Sequence, residues 1–171
     1  PNTGVTVRTP AVAIPFGTDA SEITEVVPAY FINTENNLGI YGIPDSANGW
    51  MKASPEKHKN WINDVDAKLS NKVKPLIRFM KAWKYYQNVP ICSFYLEMQV
   101  NDYASKEKSI IYSIDVKNVF KQLLDVQLAE IQDPMGVSGY IQPCSTPNFK
   151  DDALSKLQTA YSRAVKARDA E

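Results

Sequence analysis

The segment Val73-Lys74-Pro75-Leu76-Ile77-Arg78-Phe79-Met80-Lys81-Ala82-Trp83-Lys84-Tyr85-Tyr86 repeats apolar residues at the spacing of a helix. At about 100° per residue, Leu76, Phe79, Met80, Trp83 and Tyr86 share one arc. Lys74, Arg78 and Lys81 fall within roughly 60° of one another on the other side. Such a helix lays its apolar face on a core and turns a narrow basic stripe outward. No acid stands three or four residues from these cations to neutralise them. The stripe reads either as a solvated face or as a ridge that meets a triphosphate through charge-assisted hydrogen bonds. The residues alone leave both open.

Working outward, the rest of the C-terminal side is also helical. Ser54-Pro55-Glu56 is a helix start, with a capping hydroxyl, Pro at the first helical position and an acid in the first turn. That helix is expected to reach about Leu69. Further helices are expected from Pro90 to about Ala104, from Asp115 to about Ile131, and from Asp151 or Asp152 to the end. Asp133-Pro134-Met135-Gly136 breaks the fourth of the five. Toward the N-terminus the period changes. Val5 and Val7, then Val12, Ile14 and Phe16, alternate with other residues as strands do. Gly17 to Ser21 is a turn cluster, and a second β-rich run goes from Ile23 to Ile32, with Pro28 marking a strand end. The two runs suggest an antiparallel hairpin. Residues 33–53 read as an irregular surface crossover. The fold class is therefore α+β, with strands in residues 1–53 and a helical lobe in residues 54–171.

Composition narrows the function classes. The chain has 171 residues and 44% hydrophobic content, enough to bury a core, and 19 basic residues balance 19 acidic ones. Net charge gives no argument for DNA binding, so any basic site is local. No apolar run approaches the roughly 20 residues of a membrane span. There is no secretory leader pattern. Cys92 and Cys144 lack metal spacing and read as reduced thiols of a cytoplasmic protein. The single histidine, His58, reads as a solvated helix residue. The chain begins with Pro1 rather than Met, which suggests a fragment.

Two further places hold candidate chemistry. Ser93 lies in the first turn of the helix opened by Pro90, where a hydroxyl and free backbone N–H groups make an anion site plausible. Beside it, Phe94 or Tyr95 offers a ring to a base; the plainer alternative is a cap serine and two core aromatics. Glu25 shares a strand face with Ile23 and Val27. A carboxylate buried there would need a charge partner or a metal, and the alternative is an exposed edge-strand acid. The chain contains no phosphate-binding Gly-Lys loop, no dinucleotide-binding glycine motif, no Gly-x-Ser-x-Gly and no His-Glu-x-x-His.

Taken in order, four segments resemble the bacterial cGAS/DncV-like nucleotidyltransferases of the DNA polymerase β-like superfamily. They are Glu25-Val26-Val27-Pro28-Ala29; Tyr41-Gly42-Ile43-Pro44-Asp45 with Gly49-Trp50 and Ser54-Pro55; Leu76 to Lys84; and Ser93-Phe94-Tyr95-Leu96-Glu97. The resemblance covers about residues 5–105. It implies a two-lobed enzyme whose palm sheet carries three acids holding two Mg²⁺ ions, with a helical bundle behind it and the NTP substrates in the cleft between the lobes. It implies an in-line displacement that releases pyrophosphate. By the same resemblance Glu25 stands where the third metal carboxylate precedes the Val-Val-Pro-Ala run. Lys81 matches a lysine on the donor triphosphate, with Arg78 on the same stripe. Ser93 joins it, and Phe94 holds the base-stacking position. The family more often has Asp at the place of Glu25. Nothing here matches its Gly-Ser and Asp-x-Asp element. Asp64-Val65-Asp66 has the spelling, but falls in an expected helix after the third acid and reads as coincidence.

The expectation is thus a synthase of cyclic or short oligonucleotide second messengers in antiphage signalling. In this form it would be an inactive C-terminal portion, with an N-terminal segment of the same protein as a missing partner. The alternatives are an RNA-directed terminal nucleotidyltransferase and a non-catalytic nucleotide-binding module of the same fold.

Overall fold

The computed structural model describes residues 4–16, 22–45 and 49–169. The chain divides into two compact units. One holds Pro1–His58 with Met135–Gly139, and the other Lys59–Pro134 with Tyr140–Glu171.

The first unit carries two three-stranded antiparallel sheets. In one, β1 (Thr6–Arg8) pairs with β2 (Ala11–Phe16), and β2 pairs with β3 (Glu22–Val26). The expected hairpin is this β2–β3 pair, and its turn at Gly17 to Ser21 lies outside the described residues. In the other, β4 (Tyr30–Glu35), β5 (Leu38–Pro44) and β6 (Trp50–Ala53) lie side by side in chain order. Strand β3 stops two residues before Pro28 and β4 starts two after it, as a residue without an N–H requires.

This second sheet corrects the irregular crossover expected at 33–53. Asn36 and Asn37 have φ of 51° and 62° and join Glu35 to Leu38, the signature of a two-residue hairpin turn. Asparagine tolerates this left-handed backbone because its short side chain bonds locally. Two glycines in β5 obscure the strand pattern, yet both are covered by aromatic rings. A Cβ at Gly42 would overlap the ring of Tyr30, its cross-strand partner, and one at Gly39 would overlap Tyr41. Tyr30 and Trp50 meet edge to face at 5.0 Å, and Phe31 meets Tyr41 at 6.0 Å. These rings hold three strands that the glycines alone would weaken.

Helix α1 (Pro55–Lys68) begins where Ser54-Pro55 places it. Its first turn is tied to the β4–β5 hairpin. The Ser54 hydroxyl donates to the Gly39 carbonyl at 2.7 Å, and Lys57 pairs with Glu35 at 2.7 Å. His58 is not solvated as expected. It is 6% exposed, and its Nδ1 lies 2.9 Å from the Ser54 carbonyl oxygen one turn back.

The second unit is a helical bundle of the rest of α1, α2 (Val73–Tyr86), α3 (Ser93–Ser105), α4 (Tyr112–Asp125) and α5 (Pro147–Asp169). A short pair, β7 (Ile131–Gln132) with β8 (Tyr140–Ile141), sits between α4 and α5 in sequence. Leu76 and Met80 of α2, Tyr95, Leu96 and Met98 of α3, Leu123 of α4 and Leu157 of α5 form one core with no more than a trace of exposure. Four helix ends differ from expectation. Helix α3 starts at Ser93 because residues up to Cys92 remain extended. Helix α4 starts at Tyr112, and Asp115 folds back to accept the Ile111 N–H rather than standing ahead of the helix. It stops at Asp125 because Gln127 and Leu128 turn to φ of 51° and 46°. Helix α5 starts at Pro147, earlier than expected, with the Thr146 hydroxyl accepting the Phe149 N–H at 3.2 Å.

Candidate nucleotide site

Asp66 is the residue that fixes where α2 points. It is 3% exposed and accepts the N–H groups of Val73 at 2.9 Å and Lys74 at 3.0 Å. The aspartate thus closes the first turn of α2 from outside the helix, a placement that suits the positive end of the helix dipole. Asp66, the second acid of the Asp-x-Asp spelling, is therefore structural in this fold, while Asp64 is exposed.

From that anchor α2 buries Val73, Leu76, Ile77 and Met80. The buried arc is rotated from the expected one, leaving Phe79 53% and Tyr86 75% exposed. The basic stripe forms as expected but is not free of acids. Lys74 lies 3.4 Å from Asp66, and Lys81 pairs with Glu97 of α3 at 2.5 Å. Both carboxylates come from other helices, so a search along one helix face misses them. Arg78 is exposed and has no ion-pair partner among the described residues.

Helix α3 packs beside α2 and brings the second half of the cluster. Its N-cap, Cys92, is extended, no side chain caps the helix, and its first turn holds no acid. The first-turn N–H groups are of the kind that bind anions. Ser93 opens the helix, and its Oγ accepts a hydrogen bond from Lys84 Nζ at 2.9 Å. Phe94 is half-buried and packs against the helical core. Lys81, Ser93 and Glu97 therefore share one α2–α3 seam. Lys84, which the sequence reading did not single out, joins them. Its signal was available: it lies one turn beyond Lys81.

Below the seam, the bundle is braced by buried phenols. Burial pushes Tyr95 up to about 12, and its hydroxyl donates to the Ala129 carbonyl at 2.8 Å. Burial, then the bond to Asp115, pushes Tyr103 up as well. Neither phenol is available as a base near neutral pH; both hold the helices in register.

Glu25 belongs to the other unit. It lies on β3 opposite Ala13, and it is exposed between exposed Ile23 and Val27. The cost of burying it, on which a metal would have been inferred, does not arise. Among the described residues no group of three His, Cys, Asp or Glu side chains is placed to hold a metal ion. One exposed carboxylate does not fit the two-Mg²⁺ site that the resemblance implies, which needs three. No helix among the described residues is long and apolar enough to cross a membrane.

No protein-family model and no curated protein matches this sequence. Its fold matches solved structures of CdnE synthases. One is the CdnE cyclic dinucleotide synthase of Elizabethkingia meningoseptica with GTP and Apcpp, at TM-score 0.62 and 17% identity over 94% of this chain. Another is the STING-associated CdnE c-di-GMP synthase of Capnocytophaga granulosa, at TM-score 0.57 and 17% identity over 95% of this chain. The chain spans 64% and 58% of the lengths of those two synthases. It has the α+β fold of the CdnE synthases.

Proposed function

We propose that this chain is the nucleotide-gripping part of a nucleotidyltransferase that joins NTPs into cyclic or short oligonucleotide second messengers for antiphage signalling. The observation that carries the proposal is the α2–α3 seam, where Lys81, Lys84 and the Ser93 hydroxyl converge, in a fold shared with a synthase solved with GTP and Apcpp. In this reading the two ammonium groups and the hydroxyl hold a triphosphate tail. Arg78 meets it from the outer edge, and Phe94 lies against the base. Glu97 keeps Lys81 extended toward the seam until phosphate oxygens share its charge. Glu25 is the carboxylate the strand unit offers to Mg²⁺, and by itself it does not make the two-ion site. The strand unit is then a partial palm and the helical unit its companion lobe.

The test is product formation by the protein expressed from its full coding sequence, incubated with Mg²⁺ and mixed NTPs, with nuclease-resistant oligonucleotides as readout. Glu25→Ala is expected to abolish product, and Lys81→Ala to raise the NTP concentration needed. Unchanged product from Glu25→Ala would remove that residue from the site. Nucleotide binding without product from the unaltered protein would favour the non-catalytic module. Extension of an added RNA would favour the terminal transferase.

A further inference from the structure

In the helical unit, α2, α4 and α5 enclose a groove of about 750 Å³ whose floor reaches the core at Phe120. Its α2 wall is the series Pro75, Phe79, Trp83 and Gln87, one residue per turn, and α4 contributes Tyr112, Val116 and Phe120 in the same way. The α5 wall runs from Ser155 to Arg168. At 1.5 Å per residue the groove follows the helices for roughly 18–20 Å. Trp83 and Phe120 meet edge to face at 4.8 Å on its floor. Ala160, Ala164 and Ala167 line the α5 side at helical spacing, low enough for another backbone to approach.

Two further features say what fits. No α5 residue beyond Leu157 is fully buried, and of the apolar positions that follow, Ala160 and Ala164 are only half-buried beside the groove while Ala167 is exposed. The groove lining also includes Lys117, Lys156, Arg163 and Arg168 and no acidic residue. Lys156 is engaged by Asp152 at 2.8 Å, but Lys117, Arg163 and Arg168 have no carboxylate partner among the described residues. An apolar furrow three turns long with an unneutralised cationic rim fits a helix with an apolar ridge and acids on both flanks. A nucleic acid strand would meet the cations but leave the long apolar floor without a counterpart.

We propose that this groove docks an amphipathic, acid-flanked α-helix of a partner polypeptide, which completes a four-helix arrangement with α2, α4 and α5. The site is separate from the α2–α3 seam in its residues and does not depend on the nucleotide reading. The probe is a fluorescein-labelled 14-residue peptide with Leu on one face and Glu at the flanking positions, followed by anisotropy, beside a counterpart carrying Lys for Glu. The Glu peptide is expected to bind saturably and to weaken as salt rises. The Lys peptide is expected to bind roughly tenfold or more weakly, because several rim pairs of modest strength change sign together. In the Arg163→Glu/Arg168→Glu double variant, both sites being exposed and outside the core, the preference should invert while the helical circular dichroism stays unchanged. Equal binding of both peptides, or no saturable binding, would overturn the proposal. So would poly(U) binding that the same variant abolishes, or a protein dimer that forms through this face and excludes the peptide.

Discussion

In the helical unit Leu76, Leu96, Leu123 and Leu157 have no exposure at all, whereas in the strand unit Val7, Phe31 and Trp50 are 78%, 60% and 61% exposed. The two regions hold their secondary structure by different means. The helices are fixed by a shared core and by long-range ties such as Asp66 to α2. The strands are fixed by ladder hydrogen bonds, the Asn36–Asn37 turn and rings laid over glycines. Local turn chemistry is enough to define a sheet, but not to bury it. The apolar faces of β3 and β4 therefore have little cover among the described residues, while the helices share a buried core.

The largest expected contrast is in core truncation. Leu123→Ala should cost about 2–5 kcal/mol, because it leaves a cavity in a closed core. Val7→Ala should stay within about 0.5 kcal/mol. Urea unfolding followed by circular dichroism measures both, and equal costs would break the comparison. Native-state hydrogen exchange sharpens it further. The amides of α2, α3 and α4 should open only with global unfolding, and those of β1 to β3 at much lower free energy.

A smaller effect concerns alkaline pH. Burial raises the folded Tyr95 above its ordinary value of 10 to about 12, so folding favours the neutral phenol. Its contribution is complete below pH 10 and is lost as pH climbs from 10 to about 12. Absorbance at 295 nm should show a late-ionising phenol that moves earlier when urea unfolds the protein. The smallest effect comes from Asn101, which is fully buried with both amide atoms unpartnered. Asn101→Leu should stabilise the helical unit by about 1 kcal/mol, since an unsatisfied buried amide costs more than an apolar group of like size. A loss of stability would show that the amide has a partner in solution.

The same contrast explains what was legible in the sequence. The bounds of helix α2, Val73 to Tyr86, were readable because the apolar residues repeat at helical spacing, although the arc it buries is rotated from the expected one. Strands β4 to β6 were not, because β5 carries two glycines and a proline and its turn is Asn-Asn rather than Asn-Gly. What makes β5 a strand is the rings of Tyr30 and Tyr41, and only tertiary structure shows where they lie. The candidate site divides similarly. Lys81 and Ser93 were singled out in the sequence, partly by resemblance, and the fold brings both to one seam. Glu97 as the partner of Lys81 and Lys84 as the donor to Ser93 were not seen. Each depends on how α2 packs against α3, sixteen and nine residues apart in the chain. His58 was misread because one residue in a Lys-rich stretch gives no sign of which way its helix face turns.

The central claim is that the α2–α3 seam grips a nucleotide triphosphate. Its most direct test is calorimetric binding of Apcpp to the unaltered protein, to Lys81→Ala and to Arg163→Glu. The account predicts saturable binding that Lys81→Ala weakens by roughly tenfold or more, as loss of a charge-assisted contact should, and that Arg163→Glu leaves unchanged. Binding of equal strength in all three would contradict it.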